Sequence, residues 1–181
     1  MHPLQADAAV VCWDLDNTLV NSGLLLHGGR SLEEAVVEAE PMANMLAFYE
    51  SLREQLPGAR HVFLSARPRS MRAVTLTWLE RHELAHDADT VWFVPSAGAK
   101  PKVWATLARL APLVIVDDLT YDHESDRPSV YHDLVESARE TATVYVGVDE
   151  ITRMTSDPEL GAAIVAETIR RLTPAPAPPS G

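Results

Sequence analysis

The segment that most constrains this chain is an apolar run that ends in two acidic residues. Residues 10–13 are all apolar, and Asp14 and Asp16 follow them, one residue apart. A continuous apolar run of this kind predicts a strand that is buried on both faces of a sheet. Because side chains alternate along a strand, the two carboxylates point to the same side where the chain leaves the sheet.

Each of two neighbouring carboxylates disfavours the ionised form of the other unless a cation lies between them. A hard divalent ion such as Mg²⁺ meets this need, since it takes carboxylate oxygens, waters and substrate phosphates as ligands. The opening segment therefore predicts a metal site at the end of the first strand. Cys12 lies within this strand, where a cysteine is expected to be a small buried apolar residue.

Similar apolar segments recur along the chain and alternate with helical patterns. The predicted strands are 10–13, 61–65, 91–94, 113–116 and 143–146. The predicted helices begin at Ser31, Pro41, Pro68, Lys100, about Ser129 and Asp157. Strands that alternate with helices indicate a parallel sheet with right-handed crossovers. We expect an α/β chain with a three-layer, Rossmann-like fold, in which a central, mainly parallel five-stranded sheet is flanked by helices.

Polar side chains stand at the carboxyl ends of several of these strands. Asp14 and Asp16 follow the first, Ser65 ends the second, and Asp117 and Asp118 follow the fourth. In open parallel sheets, ligands bind at this edge. Arginines 67, 69 and 72 gather near the start of the helix after Ser65, which either indicates an anion nearby or reflects ordinary solvated side chains.

Length and composition bound the remaining possibilities. With 181 residues, 46% of them apolar, the chain has the size of one domain. We expect that domain at residues 1–172, with a short flap at about 21–40, and a Pro/Ala-rich disordered tail at 173–181. No apolar run is long enough for a membrane span, and the first residues lack a signal-peptide pattern, so a cytoplasmic protein is predicted.

The formal net charge of −11 argues against an anionic membrane surface and against nonspecific nucleic-acid binding as partners. It remains compatible with a phosphorylated substrate, because a metal ion and a few local cations can hold a phosphate on an acidic protein. The oligomeric state is left open.

The ordered set of polar strand ends resembles the four motifs of the haloacid dehalogenase (HAD) superfamily over residues 10–148. Residues 14–18, Asp-Leu-Asp-Asn-Thr, are similar to the DxDxT motif, and Ser65 matches the second motif. Lys100 matches the third-motif lysine, with Lys102 as the alternative, and Asp117-Asp118 matches the DD form of the fourth. Most members are phosphatases with an aspartate nucleophile.

The resemblance implies a role for each matching residue. Asp14 would attack phosphorus and form an aspartyl-phosphate, and Asp16 would protonate the leaving oxygen and then activate water. It further implies Mg²⁺ bound by Asp14, by the backbone carbonyl of Asp16 and by Asp117 or Asp118; the sequence does not distinguish the last two. The residues expected to contact substrate are Thr18, Ser65, Ala66, Arg67, Lys100 and Lys102, with Thr18 mainly shaping its loop. Asp122 is a lesser candidate for holding a metal-bound water.

The intervals between the motifs leave little room for the cap domains that cover the site in this superfamily. A small-cap or capless phosphatase with an open site is therefore expected, acting on a polymer end, a phosphoprotein or a small phosphate covered by an oligomeric neighbour. The turn at 65–68 is also similar to the Ser-Gly-Arg turn of polynucleotide 3′-phosphatase domains, which the acidic charge does not favour.

Three other interpretations share part of this pattern. A receiver domain also combines a phosphorylated aspartate, Mg²⁺, a hydroxyl group and a lysine, but its acidic pair comes before that aspartate, whereas here the DD pair comes last. A non-catalytic relative that binds metal or a protein, and a phosphotransferase that uses an acceptor other than water, remain alternatives to the phosphohydrolase.

Overall fold

Strand β1 (Ala9–Trp13) lies in the middle of a parallel sheet in the computed structural model, which describes residues 9–21, 31–84, 91–121 and 128–173. The other strands of this sheet are β2 (Ala59–Ser65), β3 (Val91–Phe93), β4 (Leu113–Val116) and β7 (Val144–Val146). Their spatial order is β3-β2-β1-β4-β7, and every pair is parallel. A separate antiparallel ribbon joins β5 (Thr120–Tyr121) to β6 (Ser129–Val130).

Seven α-helices are found in the described part of the chain. They are α1 (Leu32–Glu38), α2 (Ala43–Gln55), α3 (Arg72–Arg81), α4 (Lys100–Leu107), α5 (His132–Thr141), α6 (Val148–Ser156) and α7 (Pro158–Leu172). Short 3₁₀ turns precede α3 and α4, at Arg69–Met71 and Ala97–Ala99. None of the helices described is both long enough and apolar enough to cross a membrane.

The helices cover both faces of the sheet, because β1 contributes apolar side chains to two cores. Every residue of β1 is at most 2% exposed. Val11 and Trp13 pack on one face with α1, α2, α3, α6 and α7, while Val10 and Cys12 pack on the other with α4 and α5. The three-layer α/β fold with a central five-stranded parallel sheet is confirmed, as is the buried state of Cys12.

The register of the strands brings three chain segments to one edge of the sheet. Trp13, the last residue of β1, is paired with Phe63 of β2 and with Val116 of β4. Backbone bonds continue this alignment beyond the strands, since the amide of Asp14 donates to the carbonyl of Val116 at 2.9 Å. The residues that follow β1 and β4, and the last residue of β2, therefore lie side by side.

Several predicted boundaries differ from those observed. The helix expected from about Ser129 begins at His132, because Ser129 and Val130 pair with β5 instead. The helix expected from Pro41 begins at Ala43, because Pro41 forms an antiparallel bridge to Val20. Both differences arise from hydrogen bonds to residues distant in sequence, which local patterns do not reveal.

Helix α6 was not predicted at all. Its buried residues are Ile151 and Met154, too few for a helical period to stand out in the sequence. Of the predicted flap, residues 31–40 contain α1 and its capping box at Ser31, whereas residues 22–30 lie outside the described part. Asp122 and the predicted tail from 174 onward lie outside it as well.

An aromatic cluster packed against β1 includes the half-buried imidazole of His61. Trp13 donates its indole N–H to Nδ1 of His61 at 3.1 Å, and the two rings are stacked with centroids 6.1 Å apart. Burial first, and Arg53 second, lower the pKa of His61 to about 4. The neutral imidazole is therefore the form that the fold requires, since only the neutral form can accept a hydrogen bond from Trp13.

We predict that His61 makes the fold sensitive to mild acid. The pKa of His61 is about 4 in the folded chain and near 6.5 in the unfolded chain. The stability that the neutral imidazole contributes to the folded chain is therefore complete above pH 6.5 and is lost as the pH falls toward 4. His61→Gln keeps an acceptor for Trp13 but cannot titrate. In thermal unfolding followed by circular dichroism, wild type should therefore lose stability relative to the variant between pH 7 and pH 4.5. A constant difference across that range would contradict the prediction.

Candidate active site

Three buried carboxylates meet at the edge of the sheet where β1 and β4 end. Asp14, Asp117 and Asp118 each place one carboxylate oxygen so that all three atoms lie within 4.8 Å of one another. The residues are 7%, 3% and 5% exposed. Since β1 and β4 are neighbours in register, the convergence follows directly from the sheet.

The ammonium group of Lys100 lies between two of these carboxylates. Its Nζ atom donates to Oδ1 of Asp14 at 2.8 Å and to Oδ2 of Asp117 at 2.7 Å, and the residue is 3% exposed. Lys100 is the first residue of α4, and Pro101 follows it where a missing amide proton costs nothing. Lys102 is exposed, so of the two candidate lysines the structure brings Lys100 to the carboxylates.

The single positive charge of Lys100 does not neutralise three carboxylates, and the pKa values of all three carboxyl groups are raised. Burial raises the pKa of Asp14 to about 7, although Lys100 opposes the rise. Burial and then the charge of Asp14 raise the pKa of Asp118 to about 7, and burial raises that of Asp117 also. Burial alone would lower the pKa of Lys100, but Asp117 and Asp14 outweigh it and raise it.

These carboxylates fit a hard divalent cation. The donor atoms are all carboxylate oxygens, the ligand type that Mg²⁺ prefers, and the cluster carries surplus negative charge in a buried place. Asp117 shares Lys100, whereas Asp118 has no ion pair to a cation among the described residues. Asp14 shares Lys100 as well, so Asp118 is the carboxylate that an added cation would neutralise best.

The loop after β1 is tied to the acidic turn through Thr18. Its hydroxyl accepts from the amide of Asp118 at 3.1 Å and donates to Oδ1 of Asp118 at 3.3 Å. Thr18 is 0% exposed, so its hydroxyl faces Asp118 and not an open pocket. Asn17, beside it, has a φ of 58°, a left-handed conformation that asparagine tolerates better than most residues. We expect Thr18 to position the site and not to bind substrate.

Ser65 places its hydroxyl at the end of β2. The residue is 0% exposed, and its Oγ accepts a hydrogen bond from the amide of Arg67 at 3.2 Å. This bond occupies an oxygen lone pair and leaves the hydroxyl proton available as a donor. Ala66 is half-buried between the two residues and has only its backbone to offer a ligand.

The side chain of Asp16 binds Arg67 and is not one of the three clustered carboxylates. Its two oxygens accept from Nε and Nη2 of Arg67 at 2.8 and 2.7 Å. Arg67 donates further from Nη1 to the hydroxyl of Thr75 at 3.1 Å. Arg67, which is predicted to contact substrate, thus binds a carboxylate of the protein itself.

Two further residues, which the motifs do not reveal, support the acidic turn. The hydroxyl of Tyr145 donates to the backbone carbonyl of Asp117 at 3.0 Å. Gly147 provides space for this tyrosine, since a Cβ atom there would lie 2.7 Å from the Tyr145 ring. An isolated tyrosine in an apolar strand and a glycine after it give no sequence signal for this arrangement.

Comparisons with known proteins find similarity at the level of structure and not of sequence. No protein-family model and no curated protein matches the sequence. Among solved structures, the chain is similar to a HAD family hydrolase from Deinococcus radiodurans R1, a crystal structure with bound phosphate and sodium. The alignment covers 86% of this chain and 98% of that chain, with 14% identity and a TM-score of 0.46. At this identity the likeness concerns the fold alone.

We predict that Asp118→Asn stabilises the metal-free protein. An amide can still accept from Thr120 and donate to Thr18, while a buried charge without a cationic partner is removed. At pH 8 in a chelator, the midpoint of thermal unfolding should rise by on the order of 5 °C. Because the folded carboxyl has a pKa of about 7 against an ordinary 3.8, wild type gains a proton on folding below pH 7, and the difference should shrink toward pH 5.

Adding Mg²⁺ supplies the matched control for Asp118→Asn. The ion should raise the unfolding temperature of wild type and have little effect on the variant. A variant that is less stable than wild type at pH 8 without metal would contradict the prediction.

We predict that Gly147→Ala destabilises the protein by about 1–3 kcal/mol through overpacking against Tyr145. The backbone φ of −106° at Gly147 suits alanine, so the effect is steric and not conformational. In a Tyr145→Leu background, the same substitution should cost little beyond a change of helix cap. Urea unfolding of the four proteins measures this, and equal costs in the two backgrounds would refute the steric explanation.

Proposed function

We propose that this chain is a Mg²⁺-dependent phosphohydrolase that acts through an aspartyl-phosphate on Asp14. The observation that carries the proposal is the position of Asp14, which shares one buried cluster with Lys100 and Asp118 at the carboxyl edge of the sheet. Carboxylates, an ammonium group and a hydroxyl at one edge suit an anionic substrate that must be held and attacked.

Asp14 has the features of a nucleophile. Lys100 engages Oδ1, whereas Oδ2 has no hydrogen bond within the described part of the chain. The Asp14 side chain is 9% exposed, so solvent reaches it only to a small extent. In the first step, an oxygen of Asp14 forms a bond to phosphorus as the bond from phosphorus to the leaving oxygen breaks, and the bonding pair stays with that oxygen.

Asp16 is the proton-transfer group of the proposal. Its side chain is 29% exposed, against 9% for that of Asp14, so a leaving group can reach the Asp16 carboxylate more easily. In the first step the protonated form of Asp16 would give its proton to the leaving oxygen and become the carboxylate. In the second it would take a proton from water as that water attacks the phosphorus of the aspartyl-phosphate and the Asp14–phosphorus bond breaks.

Ser65 and Lys100 would hold the phosphoryl oxygens. The Ser65 hydroxyl has a proton to donate, and the Lys100 ammonium carries positive charge next to the attacking oxygen. When bound, Mg²⁺ would be held by Asp14, Asp118 and the backbone carbonyl of Asp16, and it would screen the repulsion between an anionic nucleophile and an anionic phosphate. Asp117 is assigned to orienting Lys100, because it shares that ammonium with Asp14.

The substrate is proposed as a phosphate ester with a bulky part that protrudes from the pocket. Within the described residues, the interval between β1 and β2 contains α1 and α2, and the interval between β2 and β4 contains α3, β3, α4 and the two short 3₁₀ turns. Such intervals suit a phosphorylated polymer end or phosphoprotein, or a small phosphate covered by a second copy of the chain. A polynucleotide 3′-phosphate is kept in the substrate panel, and the cytoplasm remains the expected compartment.

We predict that the protein releases phosphate from p-nitrophenyl phosphate with Mg²⁺ and that Asp14→Asn lowers kcat by at least about a thousandfold. Asparagine has nearly the same shape but cannot displace an ester oxygen. Asp133→Asn, the same change at an exposed carboxylate in the first turn of α5, is the matched control and should leave turnover unchanged.

The assay would next be run with nucleotides, sugar phosphates, phosphopeptides and 3′-phosphorylated oligonucleotides, with and without alcohol acceptors. Phosphate transfer to an acceptor in preference to water would identify a phosphotransferase. Equal activity of wild type and Asp14→Asn, or no turnover of any ester in the panel, would refute the proposal.

A further inference from the structure

The carboxylate of Asp16 is held by a side chain that the proposed chemistry does not use. Arg67 binds both of its oxygens and is itself bound to Thr75. We infer that Arg67 and Thr75 form a clamp that fixes the orientation of the Asp16 carboxylate for proton transfer. This inference rests on the proposed function, because it assigns positioning residues for the same site.

The contact between Arg67 and Asp16 is bidentate. Nε donates to Oδ2 at 2.8 Å and Nη2 donates to Oδ1 at 2.7 Å. Two parallel hydrogen bonds to a planar carboxylate fix its plane as well as its position, which a single bond from a lysine cannot do. The orientation of Asp16 is therefore set by the guanidinium group.

Thr75 in turn fixes the guanidinium group. Its hydroxyl accepts from Nη1 of Arg67 at 3.1 Å. All three nitrogens of the guanidinium group therefore donate a hydrogen bond. Thr75 is 0% exposed and lies within α3, so it belongs to the packed core and not to the pocket. The clamp thus extends from the buried side of α3, through Arg67, to the loop that follows β1.

Burial determines which partner Arg67 serves. The Arg67 side chain is 2% exposed and that of Asp16 is 29% exposed. A guanidinium that is buried and already donates from three nitrogens has little left to offer a substrate phosphate, whereas the carboxylate that it binds is partly exposed. Arg67 accordingly acts through Asp16.

The other two arginines of the same sequence cluster behave differently. Arg69 and Arg72 are exposed, and Arg72 lies over the ring of Phe93 with its guanidinium carbon 5.6 Å from the centroid. A positive charge near Arg67 in sequence is therefore not enough to bind the Asp16 carboxylate. Arg69→Ala removes a positive charge two residues from Arg67 without removing a contact to Asp16, and it serves as the charge control.

The first test uses Thr75, which lies outside the pocket. Thr75→Val keeps the shape of the side chain and removes the acceptor for Arg67, whereas Thr75→Ser keeps the acceptor. We expect Thr75→Val to lower kcat by roughly 3- to 10-fold and Thr75→Ser to restore it, with KM and the inhibition constant of inorganic phosphate unchanged in both. Equal kcat values for the valine and serine variants would overturn the role of Thr75.

The second test asks whether Arg67 acts through Asp16. Arg67→Lys and Arg67→Gln should each lower kcat by on the order of 10- to 100-fold, more than Arg69→Ala does. In an Asp16→Asn background, Arg67→Gln should cause almost no further loss. The clamp would be overturned if the effects of Asp16→Asn and Arg67→Gln on kcat multiplied in the double variant. An equal loss of kcat in Arg67→Gln and Arg69→Ala would also overturn it. A rise in the inhibition constant of phosphate that matches the loss of kcat would overturn it as well, because Arg67 would then be a phosphate ligand.

A measurement without turnover separates this inference from the proposed function. The urea midpoints of wild type, Arg67→Gln, Asp16→Asn and the double variant should be non-additive, because either single change already breaks the contact. If no ester is hydrolysed but the midpoints are non-additive, the proposed function fails and the clamp stands as a structural contact. If hydrolysis occurs and the midpoints are additive, the clamp fails and the function stands.

Discussion

The ion pair that Lys100 makes with Asp14 and Asp117 is the contact on which the site depends. Three carboxylates buried at one sheet edge repel each other, and burial penalises each of their charges. The ammonium at the start of α4 relieves part of this cost, and it does so against the dipole of its own helix. What remains is a local surplus of negative charge that suits a divalent cation.

The fold serves this cluster by holding its parts in register. β1 brings Asp14 to the edge beside β4, and Thr18 ties the loop after β1 to Asp118. Tyr145 holds the carbonyl of Asp117, and Leu119 follows the pair with a φ of 49°, a conformation that a leucine adopts only under constraint. Stability is given up at this turn so that charged groups stay close together.

The sequence was informative where apolar strands end in polar residues. The sheet and its three layers follow from the apolar runs, and the meeting of Asp14 with the Asp117-Asp118 pair follows from their places at strand ends. Lys100 and Lys102 could not be told apart, because only packing decides which lysine turns inward. The contacts of Thr75 with Arg67, and of Tyr145 with the carbonyl of Asp117, join residues distant in sequence. Neither leaves a local pattern from which it could be predicted.

The position of a bound ion is the most direct test of the proposed metal site. Mn²⁺ favours the same oxygen ligands as Mg²⁺ and scatters anomalously, so a crystal of the protein grown with Mn²⁺ would reveal its position. The account predicts one anomalous peak per chain, within about 2.5 Å of a carboxylate oxygen of Asp14 and of Asp118, with Lys100 still bonded to Asp117. A peak that avoids Asp14, or no peak at a saturating concentration of the ion, would contradict it.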